Sequence, residues 1–243
     1  MPGGLAATGL LLGECCRMKS RLSASLFLGL SLIAAPALAK KAPVVAPPSP
    51  AKTYQTVIDQ NPAHDPQDVL VLDLSNGGRV MIRLMPSWAP NHVERIKTLV
   101  AEHFYDGIIF HRVIDGFMAQ TGDPTGTGQG GSKLPDLKAE FNPMPHVRGT
   151  VSMARTDAPD SANSQFFIVF YPRFALDKKY TVFGRVISGM DTVDRIERGE
   201  PPANPTKIVH ASLASEGVPP PVATAPVAAP AITADQLSNS KSN

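Results

Sequence analysis

Residues 110–124 read FHRVIDGFMAQTGDP, and both the fold and the chemistry turn on this stretch. It sets His111, Arg112 and Asp115 among Phe110, Val113, Ile114, Phe117 and Met118, with no Ser or Cys to attack a substrate. Ile108–Val113 and Met118–Thr121 read as strands, with Gly116 marking a bend between them. Phe117 and Met118 are adjacent, so on a strand their side chains leave opposite faces and one of them need not face a core. Arg112 is expensive to bury without partners, and Gln120 and Gln165 are amides that can supply them. A cation, an apolar surface and an amide, with nothing that attacks, is the combination to be explained.

Outward from this stretch the period remains that of strands. Val69–Leu74 and Arg79–Leu84 are joined by Ser75-Asn76-Gly77-Gly78, whose Asn-Gly is a strong hairpin signal. Thr150–Ala154, Gln165–Phe170, Thr181–Val186 and Lys207–Leu213 complete the set of strand candidates. Two helices interrupt them. One starts near Pro90, which suits a first helical turn, and runs to about His103 with Val93, Ile96, Leu99 and Val100 on one face. The other is short, Met190–Arg198, with Val193 and Ile196 inward. Eight short strands and two helices predict a mainly β domain, an eight-stranded closed antiparallel barrel capped by two α-helices, because closure removes edges open to aggregation. A core of about 150 residues suffices for one such barrel.

The flanks differ in composition. The chain of 243 residues holds 24 Pro and 19 Gly, and Pro clusters toward the ends. Arg17, Lys19 and Arg21 precede an apolar run, Leu22–Ile33, and Ala37-Leu38-Ala39 has the small-x-small form of a cleavage site. Residues 1–39 are therefore expected to be a signal peptide cleaved near Ala39, with no membrane span in the mature chain. Met18 makes the more ordinary start for such a signal, which would set residues 1–17 outside the natural protein. Residues 40–65, opening KKAPVVAPPSPAK, are expected to be a Pro/Ala-rich linker, 66–213 the folded domain, and 214–243 a Pro/Ala-rich disordered tail.

Several chemistries are excluded by what the chain lacks. Both cysteines, Cys15 and Cys16, precede the cleavage point, so the mature chain has neither disulfide nor thiol chemistry. It keeps 20 basic against 20 acidic residues, without the basic stripe of a nucleic-acid binder. Gly126–Gly131 matches G-x-G-x-x-G, but Pro135 argues against the helix that a dinucleotide site requires. No two of the six His stand at a helical or hairpin spacing with a carboxylate, so no metal or other cofactor is expected. Ser161, Ser164 and His111 lack the nucleophile elbow and orienting acid of a hydrolase. Asp123 and Asp136 fit turn capping, and His111 a hydrogen-bonded structural role.

FHRVIDGFMAQTGDPTGTGQGG, followed in order by GTVSMA (149–154), SQFFIV (164–169), LDKKYTVFGRV (176–186) and GMDTVDRI (189–196), resembles the cyclophilin family of peptidyl-prolyl cis-trans isomerases, in particular exported bacterial members. The resemblance covers roughly residues 66–213. It implies an eight-stranded barrel with two helices and an enzyme that rotates Xaa-Pro bonds. It implies Arg112 as the catalytic cation, Gln120 orienting Arg112 or the substrate carbonyl, and Phe117, Met118, Phe167 and Leu176 as the proline pocket. Ala154, Arg155 and Gln165 would line the groove for neighbouring residues, Arg155 largely through its backbone, with His111 behind the site. The chain departs from many eukaryotic members at Ala175, where they carry Trp, at Tyr180, where they carry His, and at Arg155, where they carry Asn, which implies weak cyclosporin binding. The expected partners are proline-containing unfolded or extended protein segments, met by a monomer in the periplasm. A non-catalytic holding module, a chaperone using the same groove, is the alternative.

Overall fold

The computed structural model describes residues 53–220. They form one eight-stranded antiparallel sheet with two α-helices, the strands being β1 (Val69–Leu74), β2 (Arg79–Leu84), β3 (Arg112–Ile114), β4 (Met118–Thr121), β5 (Thr150–Met153), β6 (Phe166–Val169), β7 (Val182–Ser188) and β8 (Ile208–Leu213). Their order across the sheet is β3-β4-β6-β5-β7-β2-β1-β8. The expected closed barrel is corrected in one respect: the sheet is curled and open, because β3 and β8 are its edges and share no ladder. Only two residues of the anticipated 108–113 strand, Arg112 and Val113, fall in β3. The chain before β3 instead meets the start of β8 and the residues just before it by single contacts, Gly107 N–H to the Ile208 carbonyl at 2.7 Å, Ile208 N–H to the Ile108 carbonyl at 2.8 Å and Phe110 N–H to the Thr206 carbonyl at 2.9 Å.

Alternation along each strand sends every second side chain into the curl. Leu70, Leu72, Leu74, Val80, Ile82, Leu84, Val151, Phe166, Ile168 and Phe183 fill it, closed by Val93, Ile96, Leu99 and Val100 of α1 (Pro90–Ala101) and Val193 of α2 (Met190–Asp194). Both helices end earlier than the sequence pattern suggested. Pro90 opens α1, and its next N–H groups are met from a distant loop: the Glu140 carboxylate accepts from Asn91 N–H at 3.3 Å and His92 N–H at 3.2 Å. A carboxylate at a helix amino terminus answers unpaired donors and a favourable dipole together.

The flank boundaries move as well. Residues 53–65, expected within the linker, are held on the domain by Arg83, which is buried and donates to the carbonyls of Asp59 (3.0 Å), Asn61 (2.6 Å) and His64 (2.7 Å). Trp88 Nε1 adds a hydrogen bond to the Gln55 carbonyl at 2.6 Å. A buried guanidinium has five donors to satisfy, and this segment supplies the acceptors. At the other end Ala214–Glu216 forms a 3-10 turn, and Arg79 holds the Val218 and Pro219 carbonyls at 2.9 and 2.8 Å, so the expected tail does not begin at 214. The expected signal peptide and cleavage point, the expected linker up to residue 52 and the expected tail from 221 lie outside the described residues. Among the described residues no helix is long and apolar enough to cross a membrane.

Candidate active site

The β3–β4 hairpin pairs Arg112 with Gln120, Val113 with Ala119 and Ile114 with Met118. Val113 and Ala119 point into the core, so Arg112, Ile114, Met118 and Gln120 occupy the opposite face of the sheet. β6 repeats the division: Phe166 and Ile168 enter the core, while Phe167 and Val169, opposite Gln120 and Met118, point outward. Met118, Phe167 and Val169 form a second apolar cluster, joined by Ile114, Phe117, Ala154, Leu176 and Tyr180. Phe117 is not on a strand. It lies in the turn after Gly116, whose φ of 64° is left-handed, and both Phe117 and Met118 therefore reach the same cluster instead of diverging.

On this cluster lies a cavity of about 110 Å³. Phe117, Met118, Phe167, Leu176 and Tyr180 line it with Ala154 and Arg155, and Arg112 and Gln120 stand at its polar side. At about 30 Å³ per water, the space suits a small ring and not a whole peptide. A longer depression of about 660 Å³ adjoins it, sharing Gln120, Ala154 and Arg155 and bounded by Gln165, Asn163 and the glycine loop 128–131. A chain lying across the face can thus place one ring in the small cavity and its neighbours in the larger one.

The polar contacts differ in part from expectation. Gln120 does not hold Arg112. Its Nε2 donates to Gln165 Oε1 at 2.8 Å, and Gln165 Nε2 donates to the Gly128 and Gly130 carbonyls at 3.1 and 2.7 Å. Arg112 Nε instead donates to Glu200 Oε2 at 2.9 Å, with the two side chains 42% and 52% exposed. Glu200 is placed there because Gly199 exchanges two backbone hydrogen bonds with Val113, N–H to carbonyl at 2.8 and 2.9 Å. That pairing is remote in sequence, and no local pattern announces it.

Arg155 acts through more than its backbone. Its guanidinium lies 4.8 Å from the Tyr180 ring centroid and donates to the Lys179, Thr156 and Asp157 carbonyls. Tyr180 meets Phe167 edge to face at 5.7 Å. Behind Phe167, stacked at 6.2 Å, is the fully buried His146, whose ring nitrogens reach Asp177 Oδ1 and Ser152 Oγ, both at 2.8 Å. Burial pushes the His146 pKa down, against an upward pull from Asp177. In the sequence His146 is one histidine among six, and no local spacing marks it. On the other rim Arg173 covers Phe117 at 5.2 Å.

His111 is buried beside Arg112, but neither ring nitrogen has a hydrogen-bond partner among the described residues, contrary to the hydrogen-bonded role expected. Burial lowers its pKa and keeps the ring neutral. The glycine run is explained by Asp123. Burial alone would raise this carboxyl, yet hydrogen bonds from Thr125, Gly128 N–H and Gly130 N–H pull its pKa to about 2. A Cβ at Gly130 would sit 2.1 Å from Asp123 Oδ1, so the loop can wrap the carboxylate only with glycine there. Asp123 thereby shapes one wall of the larger depression.

Residues 69–213 match the family described as cyclophilin type peptidyl-prolyl cis-trans isomerase/CLD. A probable peptidyl-prolyl cis-trans isomerase of Brucella suis is 48% identical over 170 residues, covering 63% of this chain and 86% of that protein. The human peptidyl-prolyl cis-trans isomerase-like 3 is 46% identical over 127 residues, 50% of this chain and 77% of that one. Among solved structures, a cyclophilin from Hirschia baltica superposes with a TM-score of 0.59 at 31% identity, covering 64% of this chain and 77% of that chain. A Cryptosporidium parvum cyclophilin, solved in the presence of the dipeptide Ala-Pro, does so with 0.56 at 30%, covering 60% and 98%. The chain belongs to the cyclophilin-type peptidyl-prolyl cis-trans isomerases and is an enzyme of that family.

Proposed function

We propose that the cavity on the outer face of β4 and β6 holds a proline ring of an extended protein segment, and that Arg112 stabilises the twisted amide as the Xaa-Pro bond rotates. The barrier to rotation is about 18–20 kcal/mol and comes from amide resonance, so nothing has to be broken and no nucleophile is needed. As resonance is lost the prolyl nitrogen regains a lone pair. A guanidinium placed to donate to it binds the transition state more tightly than either ground state. An acceleration of about four decades requires roughly 5–6 kcal/mol. One charge-assisted hydrogen bond supplies about 1.5–3 kcal/mol, and the remainder falls to the apolar cavity and to positioning of the flanking chain.

The observation that carries this reading is the meeting of Arg112 with five apolar side chains from four separate segments around one small cavity. In it Glu200 is a positioning residue: taking the Arg112 Nε donor leaves the Nη groups, which have no partner among the described residues, for the substrate. Gln120, whose Nε2 is taken by Gln165, keeps its Oε1 to accept a hydrogen bond from the substrate chain. With the export signal expected in residues 1–39, the substrates are newly exported chains in the periplasm, and the enzyme acts on them as a monomer. The reading is tested by Phe117→Ala, which opens the rim of the cavity where the ring is only partly buried. kcat/KM for short Xaa-Pro peptides is expected to fall about tenfold, the worth of roughly 1.4 kcal/mol. Unchanged kcat/KM in a folded variant would put the proline elsewhere.

A further inference from the structure

We propose that His103, Asp106 and His210 form a binding site for a divalent transition-metal ion of the zinc class, apart from the proline cavity. The three residues come from the turn after α1 and from β8, and one ligand atom of each lies within 4.8 Å of the others. His103 Nδ1 is 3.3 Å and His210 Nδ1 3.1 Å from the same oxygen, Asp106 Oδ2. Two ligands each about 2.0–2.1 Å from a tetrahedral zinc stand about 3.3–3.4 Å apart, so these spacings need only a few tenths of an ångström of adjustment. Moving each ring proton to Nε2 frees both Nδ1 lone pairs without changing the charge of a neutral imidazole.

The ligands are held in place. Asp106 Oδ1 accepts from the Ala211 backbone N–H at 2.8 Å, which turns Oδ2 toward the histidines in the manner of outer-shell support for a ligating carboxylate. The two imidazoles stack at 5.8 Å with planes 27° apart. His103 has φ 55°, just past the end of α1, a left-handed position that Gly, Asn, Asp and His tolerate better than other residues. Two imidazoles with one carboxylate suit Zn²⁺, Ni²⁺ or Cu²⁺ and not Mg²⁺ or Ca²⁺. With three protein ligands and side-chain exposures of 66%, 29% and 29% for His103, Asp106 and His210, the fourth position goes to water and the ion exchanges readily.

The site has a structural consequence. The turn carrying His103 and Asp106 leads directly into Gly107–Phe110, the segment that meets the start of β8 and the residues just before it, where the sheet lacks a ladder. An ion shared between that turn and β8 clamps this seam, so its binding raises stability with the logarithm of ion concentration above Kd.

The test uses the full chain stripped with a chelator and titrated with ZnCl₂, followed by calorimetry and thermal unfolding, beside His103→Asn, Asp106→Asn and His210→Asn. One equivalent is expected to bind, Tm to rise with zinc but not with CaCl₂, and each variant to weaken binding at least tenfold. His103→Asn keeps a side chain tolerated at positive φ, and peptide isomerisation without metal shows that every variant is folded. Absence of zinc-dependent heat and Tm shift in the unaltered protein overturns the proposal. So does unchanged binding in a folded His103→Asn/His210→Asn double variant, which would put the ion on other residues.

Discussion

Arg112 and Glu200 form an exposed pair, and in the proposed mechanism it serves orientation and not stability. An exposed ion pair contributes about 0–1 kcal/mol, so Glu200→Ala is expected to leave Tm within a degree or two while releasing the guanidinium. kcat/KM is expected to fall about three- to tenfold, and the loss to be smaller in wild-type protein raised to high salt than in the variant's complete removal of the pair. An unchanged kcat/KM would make Glu200 incidental. At position 175 the exposed Ala lies within the 3-10 turn Phe174–Leu176 but is not part of the cavity wall, which takes Leu176 and Tyr180. Ala175→Trp is therefore expected to raise cyclosporin affinity at least tenfold without changing peptide turnover, read by ligand titration. The residues lining the small cavity are all ones that the family resemblance names, while Asn163 and the loop 128–131 beside the larger depression are not. Glu200 and His146 were not legible either, since each acts through a partner far away in sequence that only folding brings near.

Among the elements, strand alternation explains both core and site. The same period that buries Phe166 and Ile168 exposes Phe167 to the cavity, and this was readable from six or seven residues of sequence. Less readable were the ends. Pro90 announced the start of α1, but its cap is Glu140, and a carboxylate from a distant loop leaves no local trace. Residues 53–65 looked like linker because composition does not reveal that Arg83 would gather their carbonyls. Arg83→Met is expected to detach the segment. Its carbonyls can return to water, so the stability loss should be about 1–3 kcal/mol, with new protease cleavage between residues 53 and 65. Continued resistance to cleavage in that variant would show that Trp88 and the apolar contacts of Tyr54 and Ile58 suffice.

For the molecule as a whole, three buried histidines set the response to acid. Burial lowers the pKa values of His92, His111 and His146, against weaker opposing pulls from Glu140, Asp123 and Asp177 in turn. The unfolded chain protonates these rings near pH 6.5 while the native state resists, so below that pH unfolding takes up protons and stability falls. Tm is expected to be flat from about pH 8 to 7 and to decline from about 7 to 5. A second decline is expected below about pH 4, where Asp123, held to about 2, and the lowered Glu140 lose their hydrogen-bonded ionised forms. A Tm constant between pH 7 and 5 would contradict neutral burial of the histidines.

At this scale the sequence pattern predicted eight strands and two helices but not the open seam, because pairing of first and last strands depends on segments outside any periodic run. The central claim, that this face rotates prolyl bonds through Arg112, rests on one measurement: the cis-to-trans relaxation rate of a short Xaa-Pro peptide with the protein and with Arg112→Ala. Acceleration by the wild type, reduced about ten- to a hundredfold in a folded variant that still binds the peptide, is the expected result. Equal acceleration by both proteins, or peptide bound by the wild type with no acceleration, would contradict it.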